Sequence, residues 1–316
     1  MNTTYSLIEG VLILLAIISL VVFLKKIAVF KKEDSQLFSR IVLQLTLPAL
    51  IFSSLAVKVF DDRFVKMALI MALVELIVLF LAWLISTIFK FKRGETGALM
   101  LVSAFGMTTM LGYPLIQQIF PHNALAMEEA VVTSEFGVGL LLFILGPLIA
   151  MYYGESKVES KVIIKSVKKF FVSPIFISLV AGIVVSFIPI NHNNQVFATS
   201  IRFFDLIGQA NLLMVAITIG LVIEFNHFKN MYLFLTVAIL LKLVVKPLLA
   251  VWLTHDPHFT TMMREIVVIE TALPSAILAV VFAKQYNCRP DLVAISIMTT
   301  LVLSVVSVSS LFTFVF

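Results

Sequence analysis

The chain has 316 residues, of which 61% are hydrophobic and 13% charged, with a mean hydropathy of +1.10. Soluble domains carry about 25% charged residues, so a water-soluble globule is excluded, and ten spans of about 20 residues would leave chain only for short loops. The single cysteine, Cys288, excludes an intrachain disulfide framework; the five histidines, His122, His192, His227, His255 and His258, lie in or near hydrophilic breaks without cysteine partners, so neither a metal site nor a cofactor is expected.

Apolar runs long enough to cross a bilayer fall at about 6–24, 37–57, 65–89, 96–120, 130–153, 171–189, 196–222, 231–254, 264–285 and 291–315, predicting an all-α polytopic membrane protein of ten helices. A membrane barrel would show ten-residue alternation instead. The first run, VLILLAIISLVVFL, has no basic segment before it and is followed by KKIAVFKK where a cleavage site would need small residues, so it reads as an uncleaved span. The second contains QLTLPALIFSSLA, with Gln44, Pro48, Ser53 and Ser54, and the third places Glu75 in MALVELIVLF. The fourth contains GMTTMLGYPLI: a mid-span proline removes a backbone hydrogen bond and pushes the preceding residue out of helical geometry, so Tyr113 and Pro114 predict a break, with Thr108, Thr109 and Gly112 accommodating the freed backbone.

The fifth span carries Glu135 in TSEFGVG, and a basic linker at 154–170 follows, containing KVESKVIIKSVKKF. In the seventh, Gln209 and Asn211 mark helix packing or a lined pathway. The eighth holds Lys242 and Lys246, four residues apart and so on one helix face. A mid-span lysine costs at least about 2.5–3.5 kcal/mol, so Lys242 must face protein, water or a counterion, whereas Lys246 is near enough to the outer end to snorkel. The ninth, VIETALPSAIL, repeats the pattern of the fourth with Glu270, Thr271, Pro274 and Ser275.

Charge asymmetry orients the spans. Lys25, Lys26, Lys31, Lys32, Arg40, Lys90, Lys92, Arg93, Lys157, Lys161, Lys165, Lys168, Lys169, Lys229, Lys284 and Arg289, 16 of the 23 basic residues, fall on one side, and Lys58, Arg63, Lys66, Arg202 and Arg264 on the other. The rule that cytoplasmic loops collect Lys and Arg then places both termini outside a cell membrane, and it accounts for the net charge of +5 without a nucleic-acid partner. The linker divides the chain into five-helix repeats, 1–153 and 171–316; an odd number of spans in each makes the repeats inverted, the pattern of transporters.

If spans 4 and 9 break at Pro114 and Pro274, each proline opens a second half-helix, and the amides of Leu115, Ile116, Ser275 and Ala276 point into mid-membrane from antiparallel directions. Two positive dipole ends in one place favour an anion. Glu75, Glu135 and Glu270 are the acids available to Lys242; one of them carrying a proton stands beside a static ion pair as the alternative. Asp61–Asp62 has no second acidic motif, which disfavours a membrane-embedded transferase, and His255–His258 (HDPH) reads as an outer-loop turn.

On LTLPALIFSSLA, FGMTTMLGYPLI, ALPSAILAVVFAKQYN and LVAISIMTTLVLSVVS, the sequence resembles the auxin efflux carrier family, which includes plant auxin exporters and bacterial malate and malonate permeases. The fourth-span motif is similar to the family's F-G-N-x-G-x-x-G-x-P, with Met107 and Thr109 standing where asparagine and glycine are usual, and Leu212 or Leu213 where the seventh span usually has proline. The resemblance implies a scaffold from helices 1, 2, 6 and 7 and a transport domain from helices 3–5 and 8–10. In that domain the crossing broken helices 4 and 9 hold a small organic anion, a dicarboxylate such as malate or an auxin-like monocarboxylate. The expected protein is then a secondary active transporter working by an elevator-type mechanism, with an anion channel or a membrane-embedded sensor as the alternative. Substrate contacts are expected at Thr108, Thr109, Gly112, Tyr113, Pro114, Thr271, Pro274, Ser275 and Asn211, and coupling at Lys242, Glu75, Glu270 or Glu135. The expected partners are the anion, the lipid bilayer and a proton or sodium ion, with a homodimer left open.

Overall fold

The computed structural model describes residues 3–31, 33–56, 63–121, 123–154, 168, 171–188, 195–222 and 232–315. Most of the basic linker, together with Lys32, Lys58, Asp61, Asp62, His122, His192, His227 and Lys229, lies outside the described residues. Among these residues the chain is all helical, with no strand beyond one isolated antiparallel bridge between Gly106 and Ser275. Among the described residues four stretches, Phe64–Ile88, Ala124–Tyr153, Gln195–Leu221 and Tyr232–Leu253, are long and apolar enough to cross a membrane; Val42–Ser53, Pro174–Ser186 and Pro290–Ser304 are apolar but shorter.

The chain folds into two compact units. The first comprises 1–64, 113–131 and 171–224; the second comprises 65–112, 132–170 and 225–316. The first contains α1 (Thr3–Lys26), α2 (Asp34–Ile41), α3 (Leu47–Leu55), α6 (Tyr113–Ile119), most of α7 (Ala124–Val132), α9 (Pro174–Ser186), α10 (Gln195–Gln209) and α11 (Asn211–Val222). Helix α3 packs on α9 and α10, and α11 packs on α1 and α2. These approaches are close because glycine stands at the contact. A Cβ on Gly208 of α10 would lie 2.9 Å from Leu50 Cα, and one on Gly220 of α11 would lie 2.8 Å from Val21 Cβ. Polar groups are paired across helices: Thr46 donates to Asn211 Oδ1 at 2.8 Å, and Lys25 Nζ donates to the Leu221 carbonyl at 3.0 Å, capping the end of α11.

The second unit holds α4 (Arg63–Ile88, from Val65 on), α5 (Arg93–Ala104), α8 (Leu140–Tyr153), α12 (Tyr232–Leu240), α13 (Lys246–Leu253), α14 (Thr261–Ala272), α15 (Ile277–Gln285) and α16 (Pro290–Val315). Helix α4 has 26 residues without glycine or proline, about 39 Å at 1.5 Å per residue, enough to cross the hydrocarbon core with tilt. Met67, Met71, Val74, Val78 and Ala82 form its buried stripe, while Leu69, Leu73, Leu76 and Phe80 are exposed on the other side, the outward apolar surface of a lipid-facing helix. Helix α5 starts with the Lys92 amide donating to Glu95 Oε2 at 2.8 Å, and α14 with Thr260 Oγ1 accepting from the Met263 amide at 3.2 Å.

Among the described residues four wide π-helical turns occur, at Val42–Thr46, Thr108–Gly112, Thr133–Gly139 and Leu241–Val245. Three of them end two residues before a proline: Pro48, Pro114 and Pro247. Each closes with a bond across five residues, Leu47 to the Val42 carbonyl, Gly112 to Met107 and Lys246 to Leu241. The wider turn shifts the carbonyl that the proline ring would otherwise strike, so the helix continues through the proline. This corrects the expectation for the fourth span. Tyr113 and Pro114 lie inside α6, and the interruption falls earlier, at Phe105–Met107, with Phe105 extended. Pro274 has no such turn before it, and the backbone there leaves the helix: Leu273 and Ala276 are both extended.

Candidate functional site

The two interruptions meet inside the second unit. The Met107 amide donates to the Pro274 carbonyl at 2.8 Å and the Ala276 amide to the Phe105 carbonyl at 2.9 Å, so the backbone groups freed by one break are satisfied by the other. Thr300 of α16 accepts from the Ser275 amide at 3.2 Å, and Ser275 Oγ donates to the Val102 carbonyl at 2.6 Å, near the end of α5. The amides of Ser275 and Ala276, expected to face a ligand, are therefore committed to protein. Because the fourth-span break precedes Pro114, the amides of Leu115 and Ile116 are interior to their helix rather than terminal. The amides left at the starts of the second half-helices are those of Thr108 and Thr109 after the Met107 break and of Ile277 and Leu278 after the Pro274 break, where no preceding turn supplies a carbonyl. Both starts lie next to the bridge, and both carry the positive end of a helix dipole.

The negative end of α5 is held as well. The Ala104 carbonyl, last of α5, accepts from Lys246 Nζ and from Lys242 Nζ, the latter at 3.3 Å, and Lys246 Nζ also meets Glu75 Oε1 at 2.6 Å. All three side chains are fully buried. Lys246, expected to snorkel, is instead the partner of Glu75, while Lys242 lies over the break, where a Cβ on Gly106 would come within 3.1 Å of its Nζ. A cation at a helix C-terminus complements the dipole there, which is how two lysines are accommodated at this depth.

The remaining acids lie on the other flank. Glu135 accepts the Thr109 hydroxyl at 3.1 Å, and Ser134 donates to Thr108 Oγ1 at 2.6 Å. Thr271 Oγ1 is bonded back to the Val268 carbonyl of its own helix at 2.9 Å. Glu270 is fully buried with neither carboxylate oxygen hydrogen-bonded, and its Oε1 would lie 3.9 Å from a Cβ on Gly112. The second unit thus brings together Thr108, Thr109, Gly112, Thr271, Pro274, Ser275, Lys242, Glu75, Glu270 and Glu135. Tyr113, Pro114 and Asn211 belong to the first unit, where Asn211 is buried with its Nδ2 unpartnered. Sequence reasoning missed Gly106, Phe105 and Met107, which act through backbone, and Thr300, whose hydroxyl props the second break; only the threonine's place in a polar-dotted tenth span hinted at it.

At the aqueous ends the chemistry is conventional. Arg289 bridges Asp291 at 2.7 Å and Glu95 at 3.1 Å, tying the start of α16 to that of α5, and this clamp holds the guanidinium above its usual range. The His258 amide donates to Asp256 Oδ1 at 2.8 Å, forming a turn within HDPH and lowering the Asp256 carboxyl. Cys288, against the Gly94 carbonyl at 3.6 Å, has its thiol pushed up to about 12 by burial.

Apolar outward faces, interrupted helices paired through backbone and buried charges at the interruption define a multi-pass membrane protein built around an intramembrane polar site. The chain belongs to the membrane transport protein family, which it matches over residues 6–312, and with it to the auxin efflux carrier-like transporters rather than to enzymes. It is 25% identical over 305 residues to an uncharacterized transporter of Methanocaldococcus jannaschii, covering 95% of this chain and 96% of that one. It is 26% identical over 305 residues to an uncharacterized transporter of Methanothermobacter thermautotrophicus, covering 95% of each.

Proposed function

We propose that the protein is a secondary active transporter of a small organic anion, a dicarboxylate such as malate or an auxin-like monocarboxylate. The observation that carries this reading is the convergence of two half-helix starts, at Thr108 and Ile277, on the Gly106–Ser275 bridge. Their amides, with the hydroxyl of Thr108, would take a carboxylate, and each terminus contributes roughly half a positive charge. In this reading ten spans form two inverted five-helix repeats with both termini outside the cell membrane. The helices around the interruptions then carry the anion in an elevator-type movement relative to a scaffold from spans 1, 2, 6 and 7, with proton or sodium coupling and a homodimeric assembly. Spans 1, 2, 6 and 7 fall in one compact unit and most of the remaining spans in the other, which supports that division, although residues 113–131 of spans 4 and 5 group with the former. Uptake by proteoliposomes from a panel of carboxylates, with and without a pH or sodium gradient, tests it; preferred movement of a cation or a neutral sugar would overturn it.

A further inference from the structure

The site contains three buried acids, and the structure separates them by what each one holds. Glu75 is engaged by Lys246, and Glu135 by the Thr109 hydroxyl. Glu270 differs: it is fully buried, two residues before α14 ends at Ala272, and neither of its oxygens has a hydrogen-bond partner. The missing side chain of Gly112 leaves room for its Oε1, and the Leu273 side chain lies at the same place. The charged groups that bear on it are Glu75 from α4, Glu135 from the turn at Thr133–Gly139 and Lys246 from α13, with Lys242 of the Leu241–Val245 turn reaching the backbone at Gly106. Both lysines are already taken, Lys246 by Glu75 and the Ala104 carbonyl, and Lys242 by the same carbonyl. Two of the three neighbours named for Glu270 are carboxylates, so an ionised Glu270 would be a third buried negative charge with no donor of its own, an arrangement that buried charges avoid by taking up a proton.

We infer that Glu270 is the proton carrier of the transport cycle, loaded together with the organic anion and emptied to water when the anion leaves. This rests on the anion-transport reading above. An ionised Glu270 would set a negative charge beside the half-helix starts at Thr108 and Ile277 and repel a carboxylate there, whereas the neutral acid leaves their positive ends uncancelled. Proton and anion therefore raise each other's affinity by the same factor, as linkage requires. The step balances: one proton bonds to a Glu270 oxygen from water on the loading side, and the same O–H bond breaks to water on the other side. Lys246 and Glu75 neutralise each other throughout and carry nothing.

The test reads the proton directly. Infrared spectra of the full chain in liposomes should show a carboxylic-acid C=O band at neutral pH that Glu270→Gln removes and Glu135→Gln leaves. In the same vesicles an inward proton gradient should speed labelled malate uptake by about tenfold or more, within the usual range of coupling between two sites, and Glu270→Gln should abolish that gradient dependence. Retention of Cys288 burial in each variant certifies folding. Absence of the band in the wild type, gradient-driven uptake that survives Glu270→Gln, or dependence on sodium in place of protons would overturn the inference. A band that Glu270→Gln removes, in vesicles that take up none of a panel of carboxylates, supports the protonated site and counts against the anion reading instead.

Discussion

Replacing Lys246 by Met removes the charge and keeps most of the stem, and its cost can be worked from the contacts. Glu75 Oε1 receives Lys246 at 2.6 Å, Glu75 Oε2 has no partner, and both residues are fully buried. At that separation and an effective dielectric constant near 20, the pair attracts by about 6 kcal/mol, partly offset by desolvation of both ions. The single variant leaves Glu75 uncompensated, for which removal of one partner from a buried pair gives about 3–5 kcal/mol. The Ala104 carbonyl keeps Lys242 at 3.3 Å, so little is lost there. Lys246→Met with Glu75→Gln removes both charges and should recover most of the loss, to within about 1 kcal/mol of wild type. The protein supplies its own probe: Cys288 is its one cysteine and fully buried, so a thiol-reactive fluorophore reports unfolding in detergent as temperature or denaturant rises. Wild-type stability in the single variant, or a double variant no better than the single one, would refute the assignment of Lys246 to Glu75.

The same thiol gives a second prediction: with its pKa raised from 9.0 to about 12 by burial, Cys288 should resist maleimide at pH 8 in the native protein and react once it is unfolded; fast native labelling would contradict its placement. Because the folded value is the higher one, the thiol's contribution to stability is complete below about pH 9 and falls as pH rises towards 12. Ser275→Ala should cost about 1–2 kcal/mol through loss of the bond to the Val102 carbonyl, measured by the same unfolding assay, and an unchanged midpoint would show that this bond is not made in the membrane. For topology, cysteines introduced at Lys90 and Lys284 in a Cys288→Ala background should be labelled only from the cytoplasmic side, and one at Lys66 only from outside; the reverse pattern would overturn the orientation read from the basic loops.

How much of this was legible in the sequence depended on whether side chains or backbone do the work. Lys242, Glu75, Glu135 and Glu270 were recognisable because a charge in an apolar span has few explanations. Which lysine takes Glu75 was not, since Lys242 and Lys246 share a helix face and differ only by one turn of height. The ninth-span interruption followed from Pro274, but the fourth was misplaced by seven residues or more, because a proline preceded by a wide turn leaves its helix intact and the real break, at Phe105–Met107, rests on main-chain pairing that no residue type announces. The fifth span likewise starts earlier than its hydropathy suggests, at Ala124: Glu128 and Glu129 are buried in it and depress the local average without ending the helix.

The bridge between Gly106 and Ser275 has a mechanical consequence. Its two main-chain bonds, together with the Ser275 and Thr300 hydroxyls, rivet four half-helices at one point. Swinging any one of them alone would strip those amides and carbonyls of partners at a depth where water cannot replace them. The joint therefore has no hinge of its own. Any rearrangement of the helices around it has to carry the two interruptions together, as one piece.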